Sequence, residues 1–195
     1  MATDKDDAVD LPILTQSEIW QLSVPERLFS YADAYRRAST VLCQKMKEDS
    51  VSFTWPNAAV VLMLAAHALE LFLKGALLKK NPTLNVWSHR HNLDRLKEEY
   101  KANFQDPMFK WDIPFTSQLT PEEWIAGMME LNPGLTEEDL RGVKPIPPPP
   151  SIMYRYPVDQ AGKEWRGLYG FEPHSFSILL SQLEFDFERI KSQIV

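Results

Sequence analysis

Apolar residues return along this chain at helical rather than strand spacing. From Ser23 onward Leu28, Ala32, Tyr35, Leu42 and Met46 fall at intervals of three, four and seven, which lays them on one helical face. Ser23 and Glu26 stand in capping-box order and Pro25 suits a first turn, so the first long helix is predicted to start there. Lys45 and Lys47 suit its last turn, where cations meet the negative end of the helix dipole. A second helix is predicted from about Pro56 to Lys80, apolar nearly all round and stopped by Pro82. That pattern marks a central helix packed on several sides. A short turn, residues 81–87, leads to a third helix predicted from Ser88 to Phe104, with Leu93, Leu96, Tyr100 and Phe104 as its stripe. The last helix is predicted from Pro173 to Ile194. Phe176, Leu180, Leu183, Phe187, Ile190 and Ile194 alternate spacings of four and three, a heptad seam that needs a partner helix.

The stretch from about 105 to 150 differs. Prolines recur through it and end in the run Pro147 to Pro150. Thr120, Pro121 and Glu123 announce a short helix to about Glu130, and Thr136 caps a second. The four consecutive prolines are predicted to be extended polyproline II, a stiff connector or a ligand for an SH3-like domain. The expected fold is therefore all-α: an antiparallel up-and-down bundle of four to five helices with a Pro-rich insertion carrying short helices. The expected organisation is an acidic, mobile tail over 1–20 and one helical domain over 21–195, interrupted by the insertion.

Composition narrows the function classes. The net charge is −6, which argues against wholesale coating of nucleic acid, because such binders gain affinity from phosphate neutralisation. A local basic patch remains compatible with it. One cysteine, Cys43, forms no internal disulfide, and the acidic start lacks a secretory pattern, so a cytoplasmic protein is expected. Ala58 to Leu78 is apolar enough to raise a membrane span, but His67, Glu70 and Lys74 interrupt it, so no membrane association is expected.

Those three residues are also the first candidate site, since all project from one side of the second helix. One reading is an ion pair between Glu70 and Lys74 at the helix edge. The other is a charged stripe lining a cleft, because buried charge is costly unless paired or used. His67, His89 and His91 make a weak zinc signature, and no metal or cofactor is expected. Cys43 reads as a buried hydrophobe, and no Gly-x-Ser-x-Gly elbow exists. A basic group of Lys74, Lys79, Lys80, Arg90, Arg95 and Lys97 surrounds Trp87, either a nucleotide-holding patch or a solvated helix end.

Ala68-Leu-Glu-Leu-Phe-Leu-Lys-Gly-Ala-Leu-Leu-Lys79, a short turn, and His91-Asn-Leu-Asp-Arg-Leu96 resemble the core of the HEPN-domain family. There a helix with a Glu-x-x-x-Lys-like segment precedes a turn and a His-x-Leu helix start. Tyr154-Arg-Tyr-Pro-Val-Asp159 is similar to the Arg-Tyr-Pro-Asp segment of members that bind or pair with nucleotidyltransferases. The resemblance implies a compact, often dimeric bundle from toxin–antitoxin or phage-defence systems. Many members are metal-independent ribonucleases that place a histidine after an arginine with four to six residues between them. Here Gln160, Ala161 and Gly162 occupy those places after Arg155, and Arg166 precedes His174 by a longer gap. That departure favours a non-catalytic HEPN-like module that binds a nucleotide, an RNA or a partner protein, with His67, Glu70, Lys74, His91, Arg155 and Tyr156 as its candidate binding residues. A nucleotidyltransferase is one such partner, and a homodimer with an apolar interface of long helices is expected. The alternatives are a divergent ribonuclease or nucleotide-processing enzyme acting through His91 and Arg155, and a purely structural dimeric bundle.

Overall fold

The computed structural model describes residues 15–116, 125–126, 128–130, 133–134, 136–141, 150–158, 162 and 170–194. Among them the secondary structure is helical, with no strand. The elements are α1 (Ser17–Trp20), α2 (Val24–Glu48), α3 (Trp55–Lys80), α4 (Leu93–Asn103), α5 (Glu137–Arg141), α6 (Pro150–Met153) and α7 (Pro173–Gln193). Single turns of 3-10 helix at Val86–His89 and Pro107–Phe109 flank α4. The predicted acidic tail lies mostly outside the described residues.

Local chemistry explains where the long helices begin. The Ser23 side chain accepts from the Glu26 N–H, and the Glu26 carboxylate accepts from the Ser23 N–H, which closes the capping box on α2. At α7 the cap is Glu172, whose carboxylate accepts from the N–H groups of His174 and Ser175. Those bonds, the one from Ser175 foremost, hold the Glu172 carboxyl at about 2, below its ordinary 4.5.

Helix α3 is the centre of the molecule. It passes the length and hydropathy test for a membrane span, yet 72% of that window is buried inside the protein. Helix α2 runs antiparallel to it: Glu26 faces Lys79 near one end, and the Ser39 hydroxyl donates to the Val61 carbonyl further along. Gly75 permits this approach, since a Cβ there would stand 2.8 Å from the Phe29 ring. Helix α7 runs antiparallel to α2, with Arg36 paired to Glu184, Asp33 to Lys191, and the Cys43 thiol donating to the Pro173 carbonyl. Burial raises the Cys43 thiol above its ordinary value, which fits a packed side chain. The predicted seam holds: Leu180, Leu183, Phe187 and Ile190 are buried.

Two expectations about the insertion change. One is that the insertion lies across the outside as short helices and extended chain, whereas its described beginning joins the core. Trp111 packs edge-on against Phe72, Tyr100 and Phe187, and Ile113 is buried in the same core. Arg189 fastens this segment by donating to the carbonyls of Met108 and Lys110. Pro150 is not extended polyproline but the first residue of α6, which suits a ring with a fixed φ and no N–H. Helix α6 packs on α3. Of the predicted helix from Pro121 to Glu130, only residues 125–126 and 128–130 are described, and they are helical; residues 147–149 lie outside the described residues.

Candidate functional site

The predicted third helix starts late, and its delay builds the site. Instead of a helix from Ser88, the chain makes one 3-10 turn, then breaks at Arg90 with φ 50° and ψ −117°. Helix α4 begins only after Asn92, whose side chain accepts from the Arg95 N–H. A non-glycine residue in that backbone region stores on the order of 1–3 kcal/mol of strain, so surrounding contacts must hold it there.

One of those contacts comes from the core. Lys74, buried on α3, donates from Nζ to the Arg90 carbonyl at 2.7 Å. The same Nζ donates to Glu70 Oε1 at 2.7 Å and stands 5.5 Å from the centre of the Trp87 ring. The second carboxylate oxygen of Glu70 accepts from His91 Nδ1 at 3.0 Å. Both halves of the α3 ion pair therefore grip the loop over 86–92, one through backbone and one through a side chain.

Glu70 is 2% exposed. Burial alone would raise its carboxyl, but His67, Lys74 and His91 pull it down to about 2 from the ordinary 4.5. Only Lys74 and His91 reach hydrogen-bond distance. His67 Nδ1 stays 3.7 Å away and has no hydrogen-bond partner, while its ring lies edge-on to Tyr35 with centroids 4.7 Å apart. With Glu70 ionised, the His91 Nδ1–H is the donor, and in the neutral ring Nε2 carries the lone pair. The His91 side chain is 44% exposed, and Nε2 makes no hydrogen bond among the described residues. A carboxylate-oriented imidazole of this kind can accept a proton at Nε2, and the protonated ring can donate from Nε2 to a phosphate oxygen.

The predicted residues thus divide. His67, Glu70, Lys74 and His91 come together. Arg155 and Tyr156 are exposed on the segment that follows α6, and among the described residues no hydrogen bond joins Arg155 to that group. The predicted basic group does not form one patch: Lys74 and Lys97 are buried, and Lys79 leans toward Glu26 at 3.9 Å. Arg90, Arg95 and Lys80 remain exposed, and Trp87 is 54% exposed beside Arg90. His89 faces Glu99 instead of Glu70, at 3.7 Å. No group of three side chains suited to a metal ion occurs among the described residues. Compared with known proteins, the chain matches no family model, no curated protein and no solved structure.

Sequence reasoning missed two contributors. Tyr35 reads as one more apolar position on α2, and nothing along the chain places it against His67. Arg90 carries no signal for a positive φ, which Gly or Asn would have given.

Proposed function

We propose that this chain is a non-catalytic, HEPN-like module that binds a nucleotide or RNA on the surface formed by the loop over 86–92. The observation that carries the reading is the double grip of Glu70 and Lys74. A buried ion pair contributes little net stability when hydrophobic residues could replace it. Here it fixes a strained, solvent-facing loop that presents an oriented histidine, an arginine and a tryptophan. Pre-organised donors beside an exposed aromatic suit a ligand with a phosphate and a planar base. A toxin–antitoxin or defence setting with a nucleotidyltransferase partner follows from the resemblance alone.

The test is fluorescence polarisation with a labelled single-stranded RNA at low salt, repeated with His91→Ala. Saturable binding that weakens about tenfold in the variant supports the reading. No binding by the unaltered protein to RNA, AMP or ADP at millimolar concentration sinks it.

The second reading, a divergent ribonuclease, draws on the same Glu70–His91 pair, since a carboxylate at Nδ1 is how an imidazole base is oriented. The binding reading is preferred because no histidine follows Arg155 at the spacing that the resembled ribonucleases use.

A further inference from the structure

Arg90 is a costly residue at its position. Its backbone lies at φ 50°, where a glycine would sit without strain, and its carbonyl occupies a hydrogen bond of a buried lysine. The arginine side chain gives nothing back to the fold. It is exposed, and its guanidinium makes no hydrogen bond or ion pair among the described residues. Its N–H donates to the Trp87 carbonyl at 3.1 Å, which closes a single turn and keeps the two residues adjacent. Trp87 in turn exposes a large apolar surface, with Lys74 near its ring. On the other side of Arg90 comes His91, held by Glu70.

We infer that Arg90 is the anion-contacting residue of this loop, and that its fork grips the phosphate of a nucleotide whose base stacks on Trp87. The inference rests on the binding function proposed above and assigns its phosphate contact to a residue outside the group led by Glu70. A guanidinium suits the task because it presents paired donors to phosphate oxygens and stays charged. Stacking on an indole discriminates little among bases, so the ligand class is a nucleotide in general. The phosphate and base can come from a free mononucleotide or from single-stranded RNA.

The test is a titration of labelled oligoadenylate at two salt concentrations, with AMP as competitor. The proteins are the unaltered chain, Arg90→Gly, Arg90→Lys and, as a charge-matched control, Arg95→Ala. Arg90→Gly is expected to weaken binding about tenfold, to lower the salt slope by about one, and to leave the melting temperature equal or higher. Arg90→Lys is expected to recover part of the affinity, and Arg95→Ala to stay within about twofold. Displacement by AMP at matching affinity identifies a free nucleotide as the ligand, and binding that requires the polymer identifies RNA. Equal binding by Arg90→Gly and the unaltered chain overturns this inference while leaving the proposed function standing. Absence of binding by the unaltered chain overturns both.

Discussion

Lys74 Nζ lies 2.7 Å from the carbonyl oxygen of Arg90, so a buried cation on the central helix holds the strained turn that opens α4. Replacing Lys74 by Met tests how much of the loop depends on it. The change leaves Glu70 ionised and under-paired in the core, which costs on the order of 3–5 kcal/mol. The double variant Glu70→Gln with Lys74→Met removes both charges and is expected to recover much of that loss in denaturant unfolding. Even when stability returns, amide exchange over 86–92 should stay faster than in the unaltered chain, because the Arg90 carbonyl has lost its donor. A double variant as unstable as the single one would show that the ion pair is not the source of the cost.

Acid should weaken the same site. The folded protein holds the Glu70 carboxyl at about 2, below its ordinary 4.5, so the ionised form is favoured by folding. The resulting stabilisation is complete above pH 4.5 and disappears as pH falls toward about 2, and its full size is on the order of 3 kcal/mol. Glu172 is lowered into the same range, so the unaltered protein carries both contributions. The check is urea unfolding at several acid pH values for the unaltered chain and for Glu70→Gln. The variant should show the shallower fall, and parallel curves would contradict the assignment.

Much of this arrangement was legible in the sequence because side-chain periodicity reports which face is buried. The stripe of His67, Glu70 and Lys74 stands out on a helix that is otherwise apolar, and the structure brings His91 to Glu70, the middle residue of the three. What periodicity cannot report is a backbone break. Ser88 looked like a helix start, but Arg90 at φ 50° delays α4 to Leu93. Lone aromatics carry no period either, so Trp111 read as part of an outer insertion although it packs against Phe72 and Phe187. Pro150 was equally ambiguous, since the same fixed φ serves polyproline II and a first helical turn.

Gly75→Ala probes the closest approach of α2 and α3. Alanine gains up to about 1 kcal/mol of helix propensity over glycine. Against this, its Cβ would meet the Phe29 ring at 2.8 and 3.0 Å and the Leu28 Cβ at 3.3 Å, contacts too tight for a packed core. Overpacking of this kind costs about 1–3 kcal/mol, so net destabilisation is expected. Phe29→Leu in the same background should restore part of it by vacating the space, and thermal melts of the unaltered chain and the two variants decide the sign.

The chain is expected to leave generic RNA uncut in the presence of chelator. A metal-independent ribonuclease needs a charged group to stabilise the phosphorane-like oxygens as well as a base. His91 is oriented as a base by Glu70, yet Gln160, Ala161 and Gly162 stand where the resembled ribonucleases place the histidine that works with their arginine. Labelled RNA incubated with purified protein should therefore persist. Cleavage abolished by both His91→Ala and Arg155→Ala would replace the binding function with the enzymatic one.

Assembly is the last expectation, and the structure changes its physical basis. One sequence ground for a second chain is that the second helix is apolar on more sides than one neighbour covers, but α2, α4, α6 and Trp111 cover much of α3 from within. The outer face of α7 offers a different surface. Ile178 and Phe185 lie two turns apart on one stripe and are 64% and 61% exposed. We propose that a homodimer pairs this stripe across a two-fold axis, because such an axis sets Ile178 and Phe185 of one copy against the same apolar stripe of the other. Ile178→Glu with Phe185→Glu changes no buried residue, so the helical fold should survive by circular dichroism. Light scattering at micromolar concentration should then report twice 22.5 kDa for the unaltered chain and 22.5 kDa for the variant. A mass of 22.5 kDa for the unaltered chain ends the dimer proposal, and a dimer that withstands both glutamates moves the interface off α7.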